Sequence, residues 1–252
     1  YFKGADERML PRRIDDDKML EEVPMSDEQF NRYLAVRFDE IRRDARRKLN
    51  PARADEAEMK TFRVNSRLAC NYAIPPELRK GDAEAADEDT PPPKEEILAA
   101  LRAAPDRYLT LKALEVYSPK MLRLYTNLMA SLGDGNSQLL YSFFRNLEGL
   151  GVFSAVLEAN GWQQYKIVKD AGQWVEDPAL DAEKPAFAFF TGNENMEERE
   201  YMRQIFNAKY SDDFPPSLKA SVAAAAKKKL CLFMITAAGA EGITLANVRH
   251  VH

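Results

Sequence analysis

Cysteine and histidine are almost missing from this chain: Cys70 and Cys231 lie far apart, and His250 and His252 are the two histidines. Neither cysteine has a Cys-x-x-Cys neighbour or a histidine at ligand spacing, so a metal site and a disulfide framework are both disfavoured and the compartment reads as reducing. No apolar run approaches the length of a membrane span, and the sequence carries no signal-peptide pattern, so a membrane partner and secretion are not expected. No Gly-x-x-x-x-Gly-Lys-Ser/Thr stretch occurs, which leaves the sequence without a phosphate loop. A surplus of positive charge is missing too. With 36 Lys and Arg against 40 Asp and Glu, the net charge of −4 excludes a nucleic-acid coat over the whole surface. It leaves open a cleft lined by backbone amides and a few cations.

What is present can build a core. At 252 residues and 45% hydrophobic, the chain is long enough for one sizeable domain with an extension, and 30% charged residues give it a solvated exterior. Ser26 caps a predicted helix running to Leu49, with Phe30, Tyr33, Leu34, Phe38 and Ile41 at helical spacing as its apolar face. Its basic end, Arg42, Arg43, Arg46, Arg47 and Lys48, is either a solvated helix terminus or a DNA-facing patch. Residues Lys80 to Lys94 are acidic, rich in proline and nearly free of large apolar side chains, the composition of a flexible loop. Short helices are expected over Glu95–Ala104, Leu109–Glu115 and Pro119–Leu132. From Leu139 onward strands and helices alternate. Strands are expected at Leu139–Phe143, Gln164–Val168, Phe187–Phe190, Leu230–Ile235 and Val248–Val251. Helices are expected up to Asn160, over Met196–Ala208 and near Ser217–Lys229. Such alternation predicts a parallel sheet with crossover helices. His250 and His252 alternate on the last strand and read as strand-facing rather than catalytic. The run Ala223 to Lys229 fits a basic nucleic-acid patch and an exposed good helix former equally.

The richest segment is the last. The apolar run Leu230 to Ile235 has the length of a strand buried on both faces, and a turn of small residues, Thr236, Ala237, Ala238, Gly239 and Ala240, follows at once. Loops of this kind sit at the carboxyl edge of an α/β sheet, where small side chains let backbone N–H groups approach a phosphate. A Gly-rich strand exit without phosphate duty is the competing reading. The wording of residues 238–252, Ala-Gly-Ala-Glu-Gly-Ile-x-Leu-x-Asn-Val-Arg-x-Val-His, resembles motif V of superfamily 2 helicases and translocases. It is most similar to the Snf2-like ATPases of large DNA viruses, a group related to the poxvirus nucleoside triphosphatase and early transcription factor.

Two further blocks resemble the same family in the same order. Leu139 to Trp162 looks like motif IV, a strand ending in an exposed Ser142 before a helix, with Phe143 where the family often has Gln. Phe187 to Asn207 resembles the helicase segment in which Gly-Ser/Thr precedes a helical Arg and a closing Phe-Asn. Here Asn193 replaces the small hydroxyl residue, Asn195 is the expected N-cap, and Arg199 reads as a helix-surface or ion-pairing residue. Upstream, Tyr117-Ser-Pro-Lys-Met-Leu-Arg-Leu124 is similar to the entry helix before the second Snf2 lobe, and Ser66-Arg-Leu-Ala-Cys-Asn71 to an Arg-x-x-Cys-Asn segment. Val23 to Tyr33 is similar to the crossing into a helical insertion.

The resemblance implies an α/β fold: a RecA-like second helicase lobe over residues 116–252, a parallel sheet with flanking helices, preceded by a mostly helical extension over 1–115. It implies ATP as cofactor, with magnesium held on a first lobe that this sequence does not include, and an arginine finger that would follow His252. Glu241, Gly242 and Thr244 would form the ATP-side edge, and Gly242 is expected to have positive φ or to approach the nucleotide closely. Ser142, Arg145, Thr191, Gly192, Asn193, Thr236, Ala237 and Gly239 would face nucleic acid, duplex DNA in the family. Partners would be that first lobe and viral transcription machinery, and the setting a cytoplasmic viral factory, a virion or the nucleus. As a fragment, residues 1–252 are expected to hydrolyse no ATP. The alternative is a non-catalytic RecA-like docking module for nucleic acid or protein; a nucleotide-sugar-type α/β domain is a third reading.

Overall fold

The computed structural model describes residues 20–49, 63–79, 93–132, 137–192, 194–224, 230–240, 242–246 and 248–252. The expected Lys80–Lys94 loop lies outside the described residues except for Pro93 and Lys94, and Lys94 opens a helix. Residues 225–229 of the Ala/Lys-rich run also lie outside.

Helix α1 spans Asp27–Leu49, and the Gln29 N–H donates to Ser26 Oγ at 3.1 Å, the cap that the sequence predicts. Its buried face is not the expected one. Phe30, Phe38 and Ile41 are exposed, while Gln29, Val36 and Glu40 are buried. The reason is polar: Gln29 Nε2 donates to the Ala69 carbonyl at 3.0 Å, and Glu40 accepts the Ser66 N–H at 3.0 Å. Both partners lie at α2, Val64–Ala69. Burial works against the charged Glu40, but the hydrogen bonds from Ser66 and Arg37 outweigh it and hold its carboxyl below the usual carboxylate range.

Short helices follow: α3 Pro76–Arg79, α4 Lys94–Ala103, α5 Pro105–Tyr108, α6 Leu111–Tyr117 and α7 Pro119–Leu132. Ser118 caps α7 by accepting the Met121 N–H at 3.1 Å, and its hydroxyl donates to the Asn71 carbonyl. Lys120 Nζ donates to Asn71 Oδ1 at 2.8 Å. The two upstream segments singled out in the sequence are thus bonded to each other.

The second half is α/β and RecA-like. Strands β1 Ser137–Tyr141, β2 Gln163–Gln164, β5 Ala186–Phe190, β6 Leu230–Ile235 and β7 Val248–Val251 form a parallel sheet in the order β2-β5-β6-β1-β7. A π-turn, Leu147–Gly151, leads into α8, Val152–Ala159, which stops at Asn160 and at Gly161 with φ 92°. Helices α9 Met196–Asn207 and α10 Pro216–Ala224 connect β5 to β6. Asn195 caps α9, accepting the Glu197 N–H at 2.8 Å.

The expected strand Gln164–Val168 is two elements. After β2 the chain leaves the sheet, and β3 Ile167–Asp170 pairs antiparallel with β4 Gln173–Glu176. Ala171 and Gly172 both have positive φ, the type I′ turn that suits a two-residue hairpin. The hairpin is anchored to α10 by Ser217 Oγ, which donates to the Trp174 carbonyl at 2.8 Å.

β6 is buried on both faces, as its unbroken apolar run requires. Leu232 and Met234 pack with Phe187, α8 and helices α4 to α7; Phe233 and Ile235 pack with Ala188, Phe190, α9 and α10. Helices of the N-terminal half and one sheet face therefore share a single apolar core, and α9 and α10 close the other face. Among the described residues no helix is long and apolar enough to cross a membrane.

Candidate nucleic-acid interface

Parallel strands put their carboxyl ends on one sheet edge, where α/β proteins bind ligands. The last residues of three adjacent strands are in register, Tyr141 opposite Ile235 and Ile235 opposite Phe190. The next residue in each case is Ser142, Thr236 or Thr191, so three hydroxyls stand side by side at the strand ends. Two hydrogen bonds fix the row: the Ser142 N–H donates to the Ile235 carbonyl at 3.0 Å, and the Thr236 hydroxyl donates to the Thr191 carbonyl at 3.4 Å.

Arg145 reaches across to this row. Its Nε–H donates to Thr191 Oγ1 at 2.6 Å. A residue that the sequence reading did not single out completes the group. Glu194 accepts the Thr191 N–H at 2.8 Å, the Gly192 N–H at 3.1 Å and the Thr191 hydroxyl at 2.8 Å, and lies 3.6 Å from Arg145 Nη2. An internal carboxylate thus occupies the seat that the resemblance assigns to a phosphate oxygen. Burial disfavours its charge, but the Thr191 and Gly192 donors prevail and hold its pKa below the usual carboxylate range. Thr191-x-x-Glu194 has the spacing of a capping box, the sequence signal by which this bond pattern was readable.

Beside Glu194 lies a cavity of about 310 Å³, lined also by Arg145 and Arg199. Arg199 forms no ion pair there among the described residues. Its guanidinium sits 4.4 Å from the Phe190 ring centroid, and its Nε is buried with no hydrogen-bond partner among the described residues. Arg199 is thus a half-buried residue of α9 whose cation faces Phe190, the last residue of β5.

On the β1 side, the Ser142 hydroxyl is engaged locally, accepting the Phe144 N–H at 3.2 Å and donating to the Phe144 carbonyl at 3.0 Å. Phe143 is 58% exposed, and the Arg67 guanidinium lies 4.7 Å from its ring centroid. Arg67, Asn71, Lys120 and Ser142 therefore gather at the end of β1, although they come from three separated stretches of sequence.

The small-residue turn after β6 is helical: α11 spans Ala237–Ala240, and the Gly239 N–H donates to the Thr236 carbonyl at 2.9 Å. Ala237 is exposed and Gly239 buried. A Cβ on Gly239 would collide with the Phe190 carbonyl oxygen, so close packing of α11 on β5 explains this glycine. Gly242 has φ 71°, as expected, but among the described residues beyond its chain neighbours no atom lies within 4 Å of the place a Cβ would take. Backbone conformation, rather than crowding, selects glycine there.

Thr244 lies apart from the hydroxyl row. Its carbonyl accepts Arg203 Nη1 at 3.3 Å and Asn207 Nδ2 at 2.9 Å, and the residue borders a cavity of about 510 Å³ with the end of α9. The structure thus brings together Arg145, Thr191, Gly192 and Thr236, and sets Ser142 and Gly239 on the same edge. It separates Thr244 from them. Asn193 and Glu241 lie outside the described residues. His252 is half-buried on the sheet edge, its Nε2 3.1 Å from Gln138 Oε1, a strand-facing placement. No family model matches this chain, and no curated protein is similar to it.

Proposed function

We propose that this chain is the nucleic-acid-gripping lobe of a two-lobed, superfamily 2 ATPase, holding successive backbone phosphates along the ends of β1, β6 and β5. The observation that carries the reading is the in-register row of Ser142, Thr236 and Thr191 with Arg145 hydrogen-bonded into it. Backbone N–H groups, hydroxyls and an arginine at a sheet edge are the donors that fix a phosphodiester without reading its bases. Phe143 with Arg67 adds an exposed aromatic face beside that row, suited to stacking on a base.

The fit to ATP is partial. Gly242 leaves open space, Thr244 offers an exposed hydroxyl, and Arg203 and Lys209 line the cavity that Thr244 borders, but Arg203 is already engaged by Glu200 and the Thr244 carbonyl. ATP, when bound, would supply the free energy for movement along DNA. This chain's own part is to grip the strand, and no hydrolytic step is assigned to its residues. A binding module that lacks any motor role is the second reading, favoured by Glu194, which fills the anion seat from within.

The test is residue-resolved. Titration of the isotope-labelled chain with a short duplex and with the matching single strand should shift the amides of Thr191, Gly192 and Ser142 first. Shifts confined to α1 or to the β3–β4 hairpin would reject the strand-end grip.

A further inference from the structure

Away from the sheet edge, a cavity of about 690 Å³ opens between α1, α2, α3, the start of α4 and the π-turn. This size is ordinary for small-molecule sites. Its walls carry four cations, Arg32, Arg43, Arg79 and Lys94, against two carboxylates, Asp39 and Glu148. Val36, Tyr72, Ile74, Ile97 and Leu147 supply an apolar floor, all of them buried. The cavity shares no residue with the strand-end row.

Arg32 and Arg79 are the informative pair. Both are half-buried, and they stand close enough for the charge of Arg79 to weaken proton binding by Arg32, second only to burial itself. Two like charges held together out of water raise the energy of the fold unless an anion answers them. Four carboxylates act on the pair through space, Glu148 and Asp39 on Arg32 and Glu28 and Glu77 on Arg79, but among the described residues none of them is within hydrogen-bond or ion-pair distance of either guanidinium. Arg79 Nε is buried with no hydrogen-bond partner among the described residues. Glu77, one of the two carboxylates that act on Arg79 electrostatically, is engaged by Arg107 at 2.6 Å and by the Tyr108 hydroxyl at 3.0 Å. Glu148 faces Arg32 only through space, and burial pushes its own carboxyl up, toward the neutral form. A buried orphan donor in a native site calls for a ligand or another partner.

We infer that this cavity is a binding site for a small organic phosphate, whose phosphoryl oxygens take the donors of Arg32 and Arg79 while its body lies on the apolar floor. Guanidinium groups match phosphate geometry, and a ring or chain attached to the phosphate matches Tyr72, Ile74 and Ile97. Lys94 and Arg43, at the rim, add attraction without burial.

Thermal unfolding of the whole chain tests this with two probes, inorganic pyrophosphate and adenosine monophosphate, at matched ionic strength. Either probe at a hundredfold excess over its Kd should raise Tm by roughly 5–10 °C. A larger rise with the nucleotide assigns the organic phosphate; equal rises assign the phosphate head alone, so that inorganic phosphate suffices and the organic body is overturned. Arg79→Met and Arg32→Met should each abolish the rise, without lowering the Tm of the ligand-free chain. Glu148→Gln should enlarge the rise at low probe concentration, since it removes a competing charge and leaves the donors intact. Arg145→Met, at the strand ends, should leave it unchanged. A rise of equal size in the wild type and in both arginine variants, or no rise in the wild type, overturns the site.

Discussion

Arg145 at the strand ends and Arg79 in the helical half are both half-buried arginines beside a cavity, yet their surroundings differ in one respect. Arg145 meets Thr191 and an acceptor-rich carboxylate, Glu194, that also takes two backbone N–H groups. Arg79 has a buried Nε with no acceptor among the described residues, and a second guanidinium nearby. One region carries its own anion and must give it up to accept another; the other has a buried donor without an acceptor among the described residues. Self-satisfaction favours stability and makes binding a competition, whereas unsatisfied donors cost stability and leave binding uncontested.

The largest effect on this contrast should come from Gly239→Ala. A Cβ there must displace the Phe190 carbonyl at the end of β5, and overpacking of this kind costs about 3 kcal/mol. Denaturant melts should show that loss, with the hydroxyl row disrupted at the same time. A loss below about 0.5 kcal/mol would mean that α11 moves freely off β5.

Glu194→Gln comes next. It removes the charge that three donors serve, so a loss of about 1.5–3 kcal/mol at neutral pH is expected. The pH dependence has a definite sign. The folded pKa of Glu194 lies below its ordinary value of 4.5, so its stabilisation is complete above that value and is lost as pH falls through the depressed folded value. Wild type and variant should therefore converge in stability at acid pH. Divergence on acidification would contradict the assignment of Glu194 as the internal anion.

Gly242→Ala should cost less, about 1–2 kcal/mol, since only the left-handed backbone is strained and the space for a methyl group is open. A calorimetric loss as large as that of Gly239→Ala would place an unseen contact at Gly242. The smallest change is expected for Arg79→Met without ligand. Its stability should stay within about 0.5 kcal/mol of the wild type or rise, because the variant relieves a like-charge contact. Marked destabilisation in the same melts would show that Arg79 has a structural partner.

Much of the sheet was legible because its signals are local. Leu230–Ile235 and Val248–Val251 are found at their expected bounds, and Asn195 and Ser26 cap the helices they were expected to cap. The β3–β4 hairpin was not legible as such: Gln164 to Val168 looks like one strand, and only the tertiary path divides it at Tyr165 and Lys166. The face of α1 was misread for a similar reason. Phe30, Phe38 and Ile41 have the right period, but the Ser66 N–H and Ala69 carbonyl, distant in sequence, draw Glu40 and Gln29 inward instead. At the site, residue types and order pointed to the strand ends. Glu194 stayed hidden because a carboxylate is the wrong sign for a phosphate contact, even though its spacing from Thr191 was that of a capping box.

The salt dependence of oligonucleotide affinity tests the strand-end grip most directly. Fluorescence anisotropy with one labelled duplex and one single strand would be read across a range of salt for the wild type, Arg145→Met and Glu194→Gln. If the row of Ser142, Thr236 and Thr191 holds phosphates with Arg145, Arg145→Met should weaken binding and reduce the magnitude of the slope of log K against log salt by about 0.7–0.9. Glu194→Gln should tighten binding, because the displaced carboxylate no longer competes for the Thr191 and Gly192 donors. Affinities and slopes identical in all three proteins would contradict the account.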